Sequence, residues 1–309
     1  MITLPSFAKI NLGLEVLGAR SDGYTEIRTI FQTIDLADTI EIEEAPERVL
    51  EVVCDDPTLP SGEDNLAGQA ARLLLDELTC RPRPGARIRI TKRIPPGGGL
   101  GGGSSNAAVT LFGLCRLWGA SPTPGTLQRV AVALGSDVPF FLHGGTALGL
   151  GRGEEVWPLR EISACEIVLA IPTFRVATAE AYARARNLLT PRGGTHTIWR
   201  FAWTGMGEPE FSWVLNELQP ALPSGREIID RLMEGFRESG AAATAMTGSG
   251  SAVYGLFPRG GAEAAREALA ARFPEVVTLR TRTIGGREYR RALAIEHSPV
   301  SECWGVDKR

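Results

Sequence analysis

The chain has 309 residues with 33 basic and 36 acidic side chains, a formal net charge of -3. Its hydrophobic fraction of 43%, charged fraction of 22% and mean hydropathy of -0.02 are ordinary globular values, which exclude collagen, coiled coil and disorder. A pI near 5.8 gives no protein-wide attraction to nucleic acid or anionic lipid, so neither is an expected partner and any anion site must be local.

At about 150 residues per domain, the length predicts two domains. Residues 6–17 alternate with period two, placing Ala8, Ile10, Leu12 and Leu14 on one face and Phe7, Lys9, Asn11 and Gly13 on the other. That pattern predicts a strand with a partly polar second face. Ser21-Asp22-Gly23 is turn chemistry, residues 27–34 predict a second strand, and 38–43 alternate again. From 65 to 78, Leu66, Ala70, Leu73, Leu74 and Leu78 follow helical spacing until Pro82 and Pro84 forbid continuation. Residues 87–91 read as a strand closed by Pro95, and helices are predicted over 106–118 and 126–134. Gly144-Gly145 and the glycines from 149 to 153 punctuate two short strands, and the motif density falls around 158–165. The second half reads as strand 166–171, helix 177–188, an irregular stretch 190–210, and helix 226–239. A strand, a glycine loop, strand 252–257, helix 262–272 and strand 276–282 follow. Strands and helices so mixed predict an α+β sandwich of the split βαβ kind. The expected units are residues 1–160, residues 161–286, and a surface extension, 287–309, expected to be poorly ordered.

The segment with the most chemistry in it is Pro95-Pro96-Gly97-Gly98-Gly99-Leu100-Gly101-Gly102-Gly103-Ser104-Ser105-Asn106, between a predicted strand and a predicted helix. Six glycines in seven positions let backbone N–H groups point into one concavity, and the following helix adds its free N-terminal donors, so a phosphate chain is the natural guest. Two known loop types do not fit. A dinucleotide fold needs an acid about 20 residues on, and residues 78–136 contain none. A P-loop needs a lysine after its glycines, and none follows. The acid-free stretch holds Arg81, Arg83, Arg87, Arg89, Lys92, Arg93, Arg116 and Arg129, which predicts positive surroundings for the loop. Asp137 ends that stretch in an apolar run, Val138-Pro139-Phe140-Phe141-Leu142. Such a carboxylate has either a task or a turn to cap. Lys9 is a cation in an apolar strand, read either as functional or as an edge lysine reaching water. Thr247-Gly248-Ser249-Gly250-Ser251 repeats the hydroxyl and bare-backbone chemistry of the first loop, as a second wall of a phosphate site or as a flexible hairpin.

The five cysteines, at 54, 80, 115, 165 and 303, form no CxxC pair and read as reduced thiols. No targeting segment and no run of 18 apolar residues is present, so the expected location is the cytoplasm, away from any membrane. None of His143, His196 and His297 has a metal-ligand partner at short spacing.

Ala8-Lys9-Ile10-Asn11-Leu12, the run from Pro95 to Ala108, Asp137-Val138-Pro139-Phe140 and Thr247-Gly248-Ser249-Gly250-Ser251 together resemble the motifs of the GHMP small-molecule kinases, over residues 5–285. With Asp22-Gly23-Tyr24 and Glu63-Asp64-Asn65-Leu66 added, the chain is similar to those members that phosphorylate 4-diphosphocytidyl-2-C-methyl-D-erythritol in non-mevalonate isoprenoid synthesis. The resemblance implies an N-terminal domain like domain 2 of ribosomal protein S5, a ferredoxin-like C-terminal domain, and ATP and Mg²⁺ in the cleft between them. It also implies Asp137 as the base for the acceptor hydroxyl and Lys9 as the cation that orients it. The glycine loop, from Pro95 to Asn106, would hold the phosphates with Asn65 and Lys92 near the nucleotide, and Ser104 or Ser105, with Ser105 preferred, would approach Mg²⁺. Asn11, Tyr24, Thr25, Tyr182, Gly248 and Ser249 would bind the acceptor, with Tyr24 and Tyr182 on either face of its cytosine. Related sequences read Asp-Gly-Tyr-His where this chain has Asp22-Gly23-Tyr24-Thr25, and Asn-Asp-Leu-Glu where it has Asn216-Glu217-Leu218-Gln219. Homoserine, a mevalonate derivative or a sugar are the alternative acceptors, and a nucleotide-binding regulator is the non-catalytic alternative. The expected assembly is a monomer or weak homodimer.

Overall fold

The structure is a computed structural model that describes residues 1–78, 83–174, 176–188, 201 and 211–295. Arg81, the 190–210 stretch apart from Phe201, His196, and the tail beyond Ile295 lie outside the described residues. Strand β1 (Ile2–Ala19) turns through Asp22 and Gly23 into β2 (Thr25–Ala45), and the two pair antiparallel along their length. The turn is built as its sequence predicts: Asp22 Oδ1 accepts the Tyr24 N–H at 3.1 Å, and Gly23 takes a φ of 84°. The two strands expected over 27–34 and 38–43 are arms of one bent strand. Phe7 pairs with Ala37 but Ala8 pairs with Ile34, so Asp35 and Leu36 form a bulge that bends β2 and interrupts its alternation.

Strands β3 (Leu50–Cys54), β4 (Gly85–Thr91), β5 (Thr146–Leu150), β6 (Glu155–Pro158) and, from far along the chain, β8 (Leu215–Asn216) complete this first sheet. Its order is β3-β4-β2-β1-β8, with β5 on β2 and β6 on β5. Helices α1 (Leu66–Glu77), α2 (Gly102–Leu117) and α3 (Pro124–Leu134) bury their apolar faces on it against Leu4, Phe7, Ile40, Ile88 and Ile90. Helix α1 starts at Asn65, whose side chain accepts the Ala67 N–H at 2.9 Å. Helix α2 begins four residues before the apolar periodicity predicts, because Gly102, Gly103, Ser104 and Ser105 carry no hydrophobic signal yet form its first turn.

The second sheet comprises β7 (Glu166–Ile171), β9 (Ala243–Met246), β10 (Val253–Phe257) and β11 (Val277–Arg282), in the antiparallel order β11-β7-β10-β9. That is the ferredoxin-like order of a split βαβ unit. Helices α4 (Thr178–Leu188), α5 (Arg226–Glu238) and α6 (Ala262–Arg272) cover one face through Ala185, Ile229, Leu232, Phe236 and Leu269. The other face lies on the first sheet, Ile167, Leu169 and Tyr254 meeting Ala8, Ile10 and Leu12. The predicted apolar face of β1 is thus the seam of a four-layer stack, helices, sheet, sheet, helices. No helix among the described residues is long and apolar enough to cross a membrane.

The expectation of a poorly ordered extension after residue 286 is corrected as far as Ile295. Helix α7 (Gly286–Ala292) returns to the first domain, and Tyr289, Leu293 and Ile295 join the core around α2 and Phe141. The Tyr289 ring covers Gly144, where an added Cβ would lie 2.2 Å from it, and its hydroxyl donates to the Phe141 carbonyl at 2.6 Å. Arg116 caps the helix's C-terminal end, donating to the Leu293 and Ala294 carbonyls at 2.8 and 3.1 Å. The arginines at 287, 290 and 291 dominate the local composition and mask the apolar spacing of Tyr289 and Leu293. His143 is buried close by, and burial, assisted by Arg290, lowers its imidazole to about 4, so it is a neutral core residue.

Docking of α7 predicts that Tyr289→Ala costs about 3–5 kcal/mol of stability, read as a shift of the urea midpoint. Tyr289→Phe, which loses only the hydroxyl, should cost about 1 kcal/mol. An unchanged midpoint in Tyr289→Ala would show that the helix does not contribute to the core.

Candidate active site

Lys9 is 2% exposed in the middle of β1, which rules out an edge lysine reaching water. A buried ammonium needs partners, and it has three. Its Nζ lies 3.1 Å from Asp137 Oδ2, donates to Asn11 Oδ1 at 2.7 Å, and stands 5.5 Å from the centre of the Phe31 ring. Asp137 precedes a short 3-10 turn, Pro139–Leu142, whose four residues are all buried. The apolar run therefore faces inward and anchors the turn, while the Asp137 side chain stays 34% exposed at the rim of a cavity. Asn11 is fixed in turn, its Nδ2 donating to Thr29 Oγ1 at 2.7 Å and its backbone N–H to Thr247 Oγ1 at 3.0 Å.

The glycine loop runs along the seam between the two sheets. Gly97, Gly99 and Gly101 have φ of 80°, 77° and 72°, a region that disfavours side chains. A Cβ on Gly99 would lie 2.3 Å from the Thr247 carbonyl oxygen, so this position is closed to other residues by contact as well. From the first domain the Lys9 N–H holds the Leu100 carbonyl at 2.9 Å, and from the second the Ala252 N–H holds that of Gly98 at 3.2 Å. The loop ends on α2, whose first N–H groups, at Gly102, Gly103 and Ser104, have no acceptor within the helix and point its positive dipole end at the cleft.

Two cavities meet at this loop and share Gly97, Gly99, Gly101 and Ser104. The smaller, about 330 Å³, is lined by Asn65, Lys92, Pro95, Pro96, Leu100, Gly102, Gly103 and Asn106. The larger, about 750 Å³, holds Lys9, Asn11, Tyr24, Thr25, Asp137, Tyr182, Gly248 and Ser249. Gly98 lines neither, and Ser105 corrects an expectation. Its hydroxyl is fully buried in a 2.8 Å hydrogen bond from Ser6 Oγ, turned away from both cavities. Ser104, one position earlier on the helix, is the hydroxyl that lines them.

The expected positive field around the loop is also corrected. Arg87 pairs with Glu43 and Glu51 at 2.9 and 2.6 Å, Arg89 with Glu41 at 3.9 Å, Arg83 with Asp76 at 3.3 Å and Arg129 with Glu77 at 2.8 Å. Acids from outside the stretch pair these four arginines. Lys92 pairs with the fully buried Asp38, which also accepts the Arg93 and Ile94 N–H groups at 2.7 and 2.8 Å. Asn106 Nδ2 donates to the same carboxylate at 2.9 Å. Asp38 thus fixes the entry to the glycine loop, a role hidden in what reads as an ordinary alternating strand.

At the far end of the larger cavity Tyr24 is 54% exposed. The Arg152 guanidinium lies 4.4 Å from its ring centre, and Arg152 Nε donates to Glu154 Oε1 at 3.2 Å. Arg186 Nη1 donates to the Gly23 carbonyl at 3.2 Å and lines the cavity too. Both arginines escape sequence reasoning, Arg152 because its flanking glycines read as strand punctuation. Tyr182 lines the same cavity, and burial, with the Asp137 charge adding, pushes its phenol well above the usual range, so the ring stays neutral.

A glycine loop opening a helix, a lysine and an aspartate in contact beside it, and two cavities meeting there on an S5-like and a ferredoxin-like sheet define a small-molecule kinase of the GHMP class. Residues 65–145 match the family described as GHMP kinases N terminal domain, and residues 202–275 match GHMP kinases C terminal. The 4-diphosphocytidyl-2-C-methyl-D-erythritol kinase of Synechococcus sp. is 38% identical over 292 residues, covering 89% of this chain and 91% of that one. The kinase of the same name from Solibacter usitatus is 43% identical over 266 residues, covering 82% and 80%. A solved 4-(cytidine 5'-diphospho)-2C-methyl-D-erythritol kinase superposes with a TM-score of 0.75 at 35% identity, covering 92% of this chain and all of that one. The chain belongs to the 4-diphosphocytidyl-2-C-methyl-D-erythritol kinase family of the GHMP kinases.

The two serines separate by experiment. Ser104→Ala should lower kcat/KM for ATP by about 10- to 100-fold, the loss of a hydrogen bond to a charged group. Ser105→Ala should leave that constant within about twofold and move only the thermal midpoint. Equal kinetic losses in both variants would contradict the orientation described.

Proposed function

We propose that this kinase transfers the γ-phosphoryl group of ATP to the 2-hydroxyl of 4-diphosphocytidyl-2-C-methyl-D-erythritol, with Asp137 as base. The observation that carries the mechanism is the 3.1 Å contact of Lys9 and Asp137, at the rim of the larger cavity and beside the loop it shares with the smaller. Asp137 Oδ accepts the hydroxyl proton, the oxygen attacks the γ-phosphorus, and the bond to the bridging oxygen breaks to release ADP. Lys9, held by Asn11, keeps Asp137 oriented and offsets the charge that develops on the transferred group. The N–H groups at the start of α2 and the glycine loop take the phosphate oxygens.

Mg²⁺ belongs to the same reading. Among the described residues no group of three or more His, Cys, Asp or Glu side chains could cage a metal ion. The donor set suits an ion held chiefly by nucleotide phosphates with Ser104 as the protein's hydroxyl, the way Mg²⁺ is commonly bound. Bound there, it would offset the charge of the β- and γ-phosphates.

For the acceptor, Tyr24 and Tyr182 suit a pyrimidine between two rings, and Thr25 offers a hydroxyl for the base edge. Arg152 and Arg186 bring two positive charges to the same cavity, which suits the diphosphate of such an acceptor. Cys54, Cys115 and Cys165 form no disulfide, which supports a reducing, cytoplasmic setting.

ADP release with ATP and Mg²⁺ should rise strongly on adding 4-diphosphocytidyl-2-C-methyl-D-erythritol and stay at baseline with homoserine, mevalonate or galactose. Asp137→Asn should cut kcat by about 10²- to 10⁴-fold while ATP binding, followed by calorimetry, stays within about twofold. A variant turning over at the wild-type rate would remove Asp137 from the mechanism.

A further inference from the structure

Strand β8 has only two residues, yet it joins the second half of the chain to the first sheet, Leu215 and Asn216 pairing parallel with Gly13 and Leu14 of β1. The Glu217 N–H continues the pairing onto the Leu14 carbonyl at 2.9 Å, and Glu217 Oε2 accepts the Val16 N–H at 2.7 Å. The backbone at Asn216 is therefore fixed to the strand that carries Lys9 and Asn11. The Asn216 side chain is 7% exposed and fully used. Its Nδ2 donates to the Met246 carbonyl at 2.7 Å and the Gly248 carbonyl at 2.8 Å, and its Oδ1 accepts the Leu218 N–H at 2.8 Å. Both carbonyls flank Thr247, which is fully buried. Thr247 Oγ1 accepts the Asn11 N–H at 3.0 Å, and its hydroxyl lies 3.3 Å from both Asn11 Oδ1 and the Gly99 carbonyl. Asn11 Oδ1 in turn accepts from the Lys9 ammonium at 2.7 Å.

We propose that Asn216 is a positioning residue for phosphoryl transfer: it grips the carbonyls on either side of Thr247, and Thr247 sets Asn11, the Lys9 ammonium and the turn at Gly99. An amide suits the task because its two N–H groups can each take one of the two loop carbonyls while its oxygen closes the turn at Leu218. The effect reaches the reaction through hydrogen bonds that share members, so it is cooperative. This inference rests on the kinase reading given above, and its test separates the role of Asn216 from the choice of acceptor.

Asn216→Asp keeps the shape but turns the donors into acceptors facing two carbonyls. It should lower kcat by about tenfold or more while KM for ATP stays within about twofold, the cost of leaving those carbonyls unpaired. Thr247→Val should act in the same direction, and the double variant should lose little beyond the worse single one, because both act on one chain of contacts. Leu232→Ala, in the apolar core of the second domain, supplies a destabilised protein with the loop intact, and its kcat should stay within about twofold of wild type. Amide hydrogen exchange over 247–251 should quicken in Asn216→Asp and not in Leu232→Ala. A kcat within twofold of wild type in Asn216→Asp, an equal loss in Leu232→Ala, or independent multiplying losses in the double variant would each overturn the proposal. If the wild-type protein ignores the cytidyl acceptor, the acceptor reading fails alone. The same comparisons, on its ATP hydrolysis and on exchange over 247–251, still decide the role of Asn216.

Discussion

A single ammonium group buried at Lys9 organises most of what surrounds it. Desolvating a cation is tolerable only with opposite charge and good acceptors at hand, and no residue adjacent in sequence supplies the charge. Asp137 arrives from the end of α3 and Asn11 from two residues along the same strand. Thr247, in the other domain, fixes Asn11. The same strand gives its opposite face, Ala8, Ile10 and Leu12, to the second sheet. Alternation along β1 thus serves two ends at once: apolar residues join the domains, and polar residues between them equip the cleft where the domains meet.

The site has a division of labour that follows from which groups are rigid. The glycine loop is held from both domains through the carbonyls of Gly98 and Leu100. The smaller cavity is built on Asp38, whose carboxylate gathers Lys92, Asn106 and two backbone N–H groups. The larger cavity has the exposed Tyr24 and two guanidinium groups in its lining. In the proposed reading, the phosphate donor common to many kinases meets the pre-formed side, and the acceptor, which distinguishes them, meets the side made of longer and more adaptable side chains.

The sequence made the secondary structure largely legible, because the alternation of β1, the spacing of α1 and the prolines that stop it are local signals. The glycine loop and Asp137 were legible too, since six glycines in seven positions and an acid in an apolar run violate local expectation. What stayed hidden depends on partners far along the chain. The acid-free stretch looked strongly positive until Glu41, Glu43, Glu51, Asp38 and Glu77 closed on its cations. Choosing between Ser104 and Ser105 requires the rotational phase of α2, and that phase is set by glycines that carry no periodic signal. Asp38 reads as one polar residue in an alternating strand, and its four donors become visible only when β4 and α2 pack beside it. Helix α7 was obscured for the opposite reason, since its arginines describe the solvent side of a segment whose tyrosine faces the core.

Helix α7 also bears on how the chain acquires its structure. Most of the first domain is continuous through the pairing of β5 and β6, but its sheet also takes β8 and part of its core is Tyr289, which packs near Phe7 and against Gly144. Everything between those points, including the whole ferredoxin-like sheet, must be synthesised before that core can close. During synthesis the N-terminal half therefore emerges with an apolar patch around Phe7 and Phe141 still open, and its final consolidation waits for the last described helix. Contacts of such long range slow folding and prolong the exposure of apolar surface. The two domains consequently mature together, and the amino-terminal one cannot finish before the carboxy-terminal one.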